Sequence, residues 1–140
     1  MDYLIRDANQ NDMKSVLGLI KDGFTKDPKF KCFVAEVKSE VVGIALLYPR
    51  YSTWKGQAMH LEDLIVTKKH RGKGIGFALF SKFIKYSHDL KVKRVQWVVL
   101  DWNVNAIDFY EKNGAVVLDD WRVALMDDKA IKKFVENESI

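Results

Sequence analysis

Apolar residues recur along this chain with two different spacings, and the switches between them order its elements. Residues 3–6 read as a short first strand. Met13, Val16, Leu17 and Ile20 fall three or four apart, one face of a helix, behind the cap candidates Asn9, Asn11 and Asp12. Residues 22–31, with Gly23 and Pro28, read as a loop. Residues 32–37 and 41–51 are strand-like and are joined by the turn Lys38-Ser39-Glu40, a predicted hairpin. Trp54-Lys55-Gly56 marks a further turn before a strand over residues 59–67. Ile75, Ala78, Leu79, Phe83 and Tyr86 return to helical spacing. A strand over 94–100, a short helix over 105–112 and two closing strands over 115–118 and 121–126 follow. Asp127 is placed to cap a last helix carrying Ile131, Phe134 and Val135. The order β-α-β-β-β-α-β-α-β-β-α predicts an α/β (α+β) fold.

A chain of 140 residues suits one domain with one core. With 48% hydrophobic and 30% charged residues, it is expected to fold as a soluble globule. No apolar run approaches the roughly 20 residues that span a bilayer, and no membrane association is expected. The opening Met1-Asp2-Tyr3-Leu4-Ile5-Arg6-Asp7 lacks a signal-peptide layout. One cysteine, Cys32, cannot form an intrachain disulfide; in its apolar strand it is expected to be a buried core thiol. Together these point to a reducing cytoplasm. The three histidines show no metal-ligand spacing, so no metal is expected.

The net charge of +4 matters less than where the positive residues lie. Lys68, Lys69, His70, Arg71 and Lys73 crowd the segment Arg71-Gly72-Lys73-Gly74-Ile75-Gly76, between a strand and a helix. Glycines let backbone approach a ligand closely, and a helix start offers unpaired N–H groups that suit a diphosphate. The segment is not a Walker loop, because Lys73 is not followed by the required residues. Nor does it open a dinucleotide-binding βαβ half. No nucleic-acid motif accompanies the basic residues, and no nucleic-acid partner is expected.

Two separated motifs resemble the GNAT superfamily of N-acetyltransferases. Arg71, Gly74 and Gly76 match its Arg/Gln-x-x-Gly-x-Gly/Ala pattern, behind a strand ending Leu64-Ile65-Val66. Asn103, Ala106 and Tyr110 match its Asn-x-x-Ala/Ser-x-x-x-Tyr pattern, followed by Asn113-Gly114-Ala115. Leu61-Glu62-Asp63-Leu64 and Trp102-Asn103 are similar to the diamine and polyamine acetyltransferases of spermidine/spermine type. Those proteins carry a longer segment where this chain has only residues 21–31, so an acceptor-site wall differs. The resemblance implies a mixed, mostly antiparallel, twisted sheet with helices on both faces.

It also implies acetyl-CoA as co-substrate. Ile65, Val66 and Thr67 would pair with the pantetheine arm, with the N–H near Val66 polarising the thioester carbonyl. Gly72, Lys73, Gly74, Ile75 and Gly76, with Arg71, would hold the pyrophosphate. Phe109 would line the pantetheine channel and also serve packing. Asn103 would contact the cofactor or cap its helix.

Amine attack on a thioester raises two proton problems. An alkylamine of pKa about 10 arrives protonated, and the leaving thiolate gains from a proton donor. Tyr110 holds the family's acid position, and the analogy favours Glu62 as base. Glu62 and Asp63 are consecutive, so a regular strand would point them to opposite faces, and only a bulge would bring both to one. Asp63 and Trp121 are candidates for holding a cationic acceptor; Asp101, Asp119 and Asp120 equally read as surface acids. The implied partner is a small-molecule amine, in a homodimer. Acetylation of a protein N-terminus or lysine, and a non-catalytic acetyl-CoA-binding module, stand as alternatives.

Overall fold

A computed structural model describes residues 2–9, 11–12 and 29–138. The predicted helix through Met13, Val16, Leu17 and Ile20, and most of the loop after it, lie outside the described residues. The chain divides into two compact units, Met1–Val98 and Val99–Ile140.

The first unit holds a five-stranded sheet in sequential order: β1 (Leu4–Asp7), β2 (Lys31–Val37), β3 (Glu40–Ser52), β4 (Gly56–Val66) and β5 (Arg94–Gln96). The first three pairings are antiparallel and the last, β4 with β5, is parallel. That is the mixed, mostly antiparallel α/β arrangement expected. The β2–β3 hairpin turns on Lys38 and Ser39, both at positive φ (48° and 63°), which suits the right-handed twist of its strands.

The parallel step from β4 to β5 requires a crossover, supplied by helix α1 (Ile75–Asp89). Ile75, Leu79, Phe83 and Ser87, each a turn apart, are buried together with Phe80. They pack on the odd-numbered face of β2 and β3. The Phe33 and Tyr86 rings meet edge to face at 5.5 Å, and Trp97 packs edge-on against Phe80 and Phe83. Gly43 lets the helix sit this close: a Cβ there would lie 3.0 Å from Leu79 Cδ1 and 3.1 Å from the Ile65 carbonyl oxygen. The opposite sheet face carries a second cluster of Cys32, Val34, Ile44 and Leu46. At the outer strand, Arg6 forks onto Asp12 at 2.8 Å and reaches Glu36, also at 2.8 Å. The expectation of helices on both faces depends on residues outside the described set.

The second unit contains helices α2 (Val104–Lys112) and α3 (Asp128–Glu138). Asp127 caps α3, its Oδ1 accepting from the Ala130 N–H at 2.8 Å, as its position predicts. Two sequence expectations are corrected here. Residues 115–118 and 121–126 are not strands among the described residues, and the strand predicted over 94–100 ends at Gln96. Apolar alternation marks a surface suited to a sheet, but a strand exists only where a neighbour accepts its backbone hydrogen bonds. No described residue of this unit supplies one.

Candidate active site

The pairing of β4 is asymmetric. It runs the length of the strand against β3, from Gly56 to Val66. Against β5 it covers only Ala58, Met59 and His60. Leu61–Val66 therefore present a backbone edge with no β5 partner among the described residues. Which groups face that edge follows from strand alternation. The Thr67 N–H donates to the Val42 carbonyl at 2.8 Å, and the Ile65 carbonyl also points to β3. The N–H and C=O of Val66, and those of Leu64, then face away from β3. Of the three residues expected to pair with a pantetheine arm, Val66 offers its amide to the open edge, while Thr67 has committed its own. The Thr67 hydroxyl is engaged too, 2.9 Å from Nδ1 of the buried His70.

Beyond Val66, a single 3-10 turn (Lys68–His70) leads to the glycine loop. Arg71 folds back, its Nε donating to the Val66 carbonyl at 2.9 Å. Lys73 Nζ donates to the Lys69 carbonyl at 3.2 Å. Gly72 and Gly74 adopt φ of 72° and 82°, a region costly for residues with a Cβ. Gly74 is the N-cap of α1 and provides no side-chain cap, and the first turn of α1 contains no acid. Among the described residues no side chain caps the N–H groups opening this helix, an arrangement that suits an anion. Ile75 is buried and anchors the turn, while Gly76 packs near Val66 Cγ2.

The β4 strand bulges at the acids. Leu46 pairs with Asp63 and the next β3 residue, Leu47, pairs with Leu61, so Glu62 is the extra residue. His60 and Asp63, three apart, would lie on opposite faces of a regular strand. The bulge and register place both on the face of Leu46 and Tyr48, away from α1. Glu62 reaches that group: its Oε2 is 3.4 Å from His60 Nε2. Burial, then the Glu62 charge, pushes the Asp63 carboxyl above its ordinary range. Burial likewise raises the Tyr48 hydroxyl, helped by the Glu62 charge and a hydrogen bond to its carboxylate. Tyr48 and His60 were not singled out from sequence. The i, i+2 spacing of His60 and Glu62 was a readable signal; the cross-strand place of Tyr48 needed the register.

In the second unit, Asn103 is the N-cap of α2, its Oδ1 accepting from the Ala106 N–H at 3.2 Å. Phe109 and Tyr110 stack edge to face at 5.3 Å. Asn113 closes the helix by donating to the Phe109 carbonyl at 2.7 Å. Tyr110 is half-buried, and burial raises its hydroxyl above the ordinary tyrosine value, so it stays protonated at neutral pH. Trp121 is 77% exposed, and Asp101, Asp119 and Asp120 are exposed. A surface groove lined by Arg50, Tyr51, Gln57 and Leu90, among others, includes none of the predicted site residues. Among the described residues, no three acid, histidine or cysteine side chains cluster as metal ligands, and no helix is long and apolar enough to cross a membrane.

The profile of the Acetyltransferase (GNAT) family matches residues 2–115. A thialysine N-epsilon-acetyltransferase of Caenorhabditis elegans is 36% identical over 135 residues, covering 92% of this chain and 84% of that protein. An L-ornithine N5-acetyltransferase of Arabidopsis thaliana is 36% identical over 110 residues, 76% of this chain and 48% of that one. Among solved structures, an integron cassette protein from the mobile metagenome of V. cholerae superposes with a TM-score of 0.80 at 19% identity, covering 97% of this chain and 99% of that one.

Proposed function

The chain belongs to the GNAT acetyltransferase family and is an N-acetyltransferase; on that premise we propose that it moves acetyl from acetyl-CoA to a primary amine of a small diamine, polyamine or amino-acid-like molecule. The observation that carries this reading is the open edge of β4 running into an uncapped, glycine-rich helix start. An extended amide-bearing arm suits the first and a pyrophosphate the second. Acetyl-CoA would supply an activated thioester. The Val66 amide and the backbone from Gly72 to Gly76 would hold it, with Ile65 flanking and Arg71 bracing the strand end.

Glu62 takes the proton from the attacking nitrogen, directly or through water. Tyr110, protonated at neutral pH, donates to the departing sulfur. Phe109 and Asn103 fix the helix that carries Tyr110. Asp63 attracts a second positive group on the acceptor, and Trp121 is a further candidate for that contact. Thialysine and ornithine, named for two relatives, each pair a terminal amine with an amino-acid head, and they set the order in which acceptors are tried.

The family match crosses the boundary between the two compact units, which supports treating both as one acetyltransferase domain. We extend the proposal to a cytoplasmic homodimer; a monomeric mass by light scattering at micromolar concentration would contradict the second part. The reading as a whole is tested by acetyl-CoA consumption with spermidine, putrescine, ornithine, thialysine, lysine and a peptide. Turnover of a small amine supports it. Turnover of the peptide alone moves the assignment to protein acetylation, and tight acetyl-CoA binding without any turnover moves it to a binding module.

A further inference from the structure

His60 sits in the middle of the sheet, 7% exposed. Its ring lies against Tyr48, centroids 5.0 Å apart with the planes tilted by 31°. Nε2 is 3.4 Å from Glu62 Oε2. Nδ1 is buried and has no hydrogen-bond partner among the described residues.

We propose that His60 is a positioning residue for Glu62: its buried ring, with the Nε2–H turned to the carboxylate, holds Glu62 in place at the bulge. The proposal rests on the reading of Glu62 as the base.

A neutral imidazole has one N–H to place. On Nδ1 that donor would be buried without an acceptor, and the Nε2 lone pair would face a carboxylate oxygen. On Nε2 it faces an acceptor. Burial, more than the charges around it, keeps the ring neutral. Burial lowers its proton affinity first, Arg50 on β3 acts in the same direction, and Glu62 opposes both. Asp63 lies on the same sheet face. Tyr48, the β3 neighbour, is held protonated, and Gln96, in register on β5, is uncharged.

His60 Nε2 lies 3.4 Å from the Glu62 carboxylate and the Tyr48 hydroxyl hydrogen-bonds to it, so two side chains bear on its position. In turnover the N–H bond of the amine breaks and an O–H bond forms on Glu62, while His60 keeps its own proton throughout. The bulge is needed for this arrangement, since it makes Glu62 the residue skipped in the backbone register with β3.

Two variants and one spectrum test the idea. His60→Phe keeps a ring against Tyr48 and removes the donor; His60→Gln restores an N–H near the Nε2 position. In His60→Phe kcat at neutral pH should fall about 3–10-fold with the KM for acetyl-CoA unchanged. His60→Gln should recover most of the loss. Nitrogen NMR of the substrate-free protein at pH 7 should show His60 as the neutral Nε2–H tautomer. An imidazolium, an Nδ1–H tautomer, a wild-type kcat in folded His60→Phe, or equal damage in both variants would each overturn the proposal. Wild-type turnover by Glu62→Gln would instead remove the base reading, and the tautomer would then decide whether His60 holds Glu62 at all.

Discussion

Nε of Arg71 donates to the carbonyl of Val66 at 2.9 Å, fastening the glycine loop to the last residue of β4. The bond uses the carbonyl of the residue whose amide faces the open edge. Arg71→Met should therefore loosen the edge and the loop together. We expect the Kd for acetyl-CoA to rise about 3–20-fold by calorimetry, with little change in Tm, because the bond is exposed. Unchanged affinity would mean that this tie does not order the site.

Gly74→Asp should weaken acetyl-CoA binding about a hundredfold or more. Within the protein, a Cβ at Gly74 meets nothing nearer than the Tyr3 hydroxyl at 3.8 Å, so the fold itself leaves room for a side chain. The cost lies in a φ of 82° and in a negative charge at a helix N-terminus. Gly74→Ala, which carries only the strain, separates the two: its loss of affinity should be much the smaller.

Tyr110→Phe should retain the stacking on Phe109 while removing the proton. Turnover should fall about 10²–10⁴-fold with Tm nearly unchanged. A wild-type rate across the pH range would sink the assignment of Tyr110 as acid.

Asp63 has its pKa raised in the folded protein, by burial first and then by Glu62. The folded state therefore binds this proton more tightly than the unfolded chain, and ionisation costs stability as pH rises through the carboxylate range. Asp63→Asn should raise Tm at pH 7, and the gain should vanish in acid. Its KM for a diamine should rise by about 3–10-fold, with a smaller effect on a monoamine of equal length.

Asp12 behaves in the opposite way. The Arg6 guanidinium holds its carboxyl below the ordinary range. That contribution to stability is present above the unfolded value of about 4 and is lost as pH falls through the lower folded one. Asp12→Asn should lower Tm by about 3–10 °C at pH 7, and thermal melts of the two proteins should converge in acid.

Much of the fold was legible because its signals are local. The turn at Lys38 and Ser39, the apolar spacing from Ile75 onward, and the cap at Asp127 each declare themselves within a few residues. What was not legible depends on partners. Residues 115–118 and 121–126 have strand-like alternation without a strand to pair with among the described residues, and β5 ends after three residues. At the site, the glycine loop and the acids could be read as motifs. That His60 and Asp63 share a face could not, because it follows from one skipped pairing opposite Leu46 and Leu47. Tyr48 lies twelve residues from His60 and meets it only across the hairpin.

Cys32 is 2% exposed, and burial pushes its thiol up to about 12. At assay pH it is neither ionised nor accessible, and only the thiolate attacks a disulfide reagent. The chain has one cysteine. A dithiobis-nitrobenzoate dye added to the native protein should therefore draw no colour from the enzyme, and every absorbance change should count coenzyme A released. The turnover of each variant above can be followed continuously, without first blocking or mutating the protein's own sulfur. The same dye, mixed with denatured chain, gives one equivalent of colour per polypeptide and so reports unfolding on the same instrument.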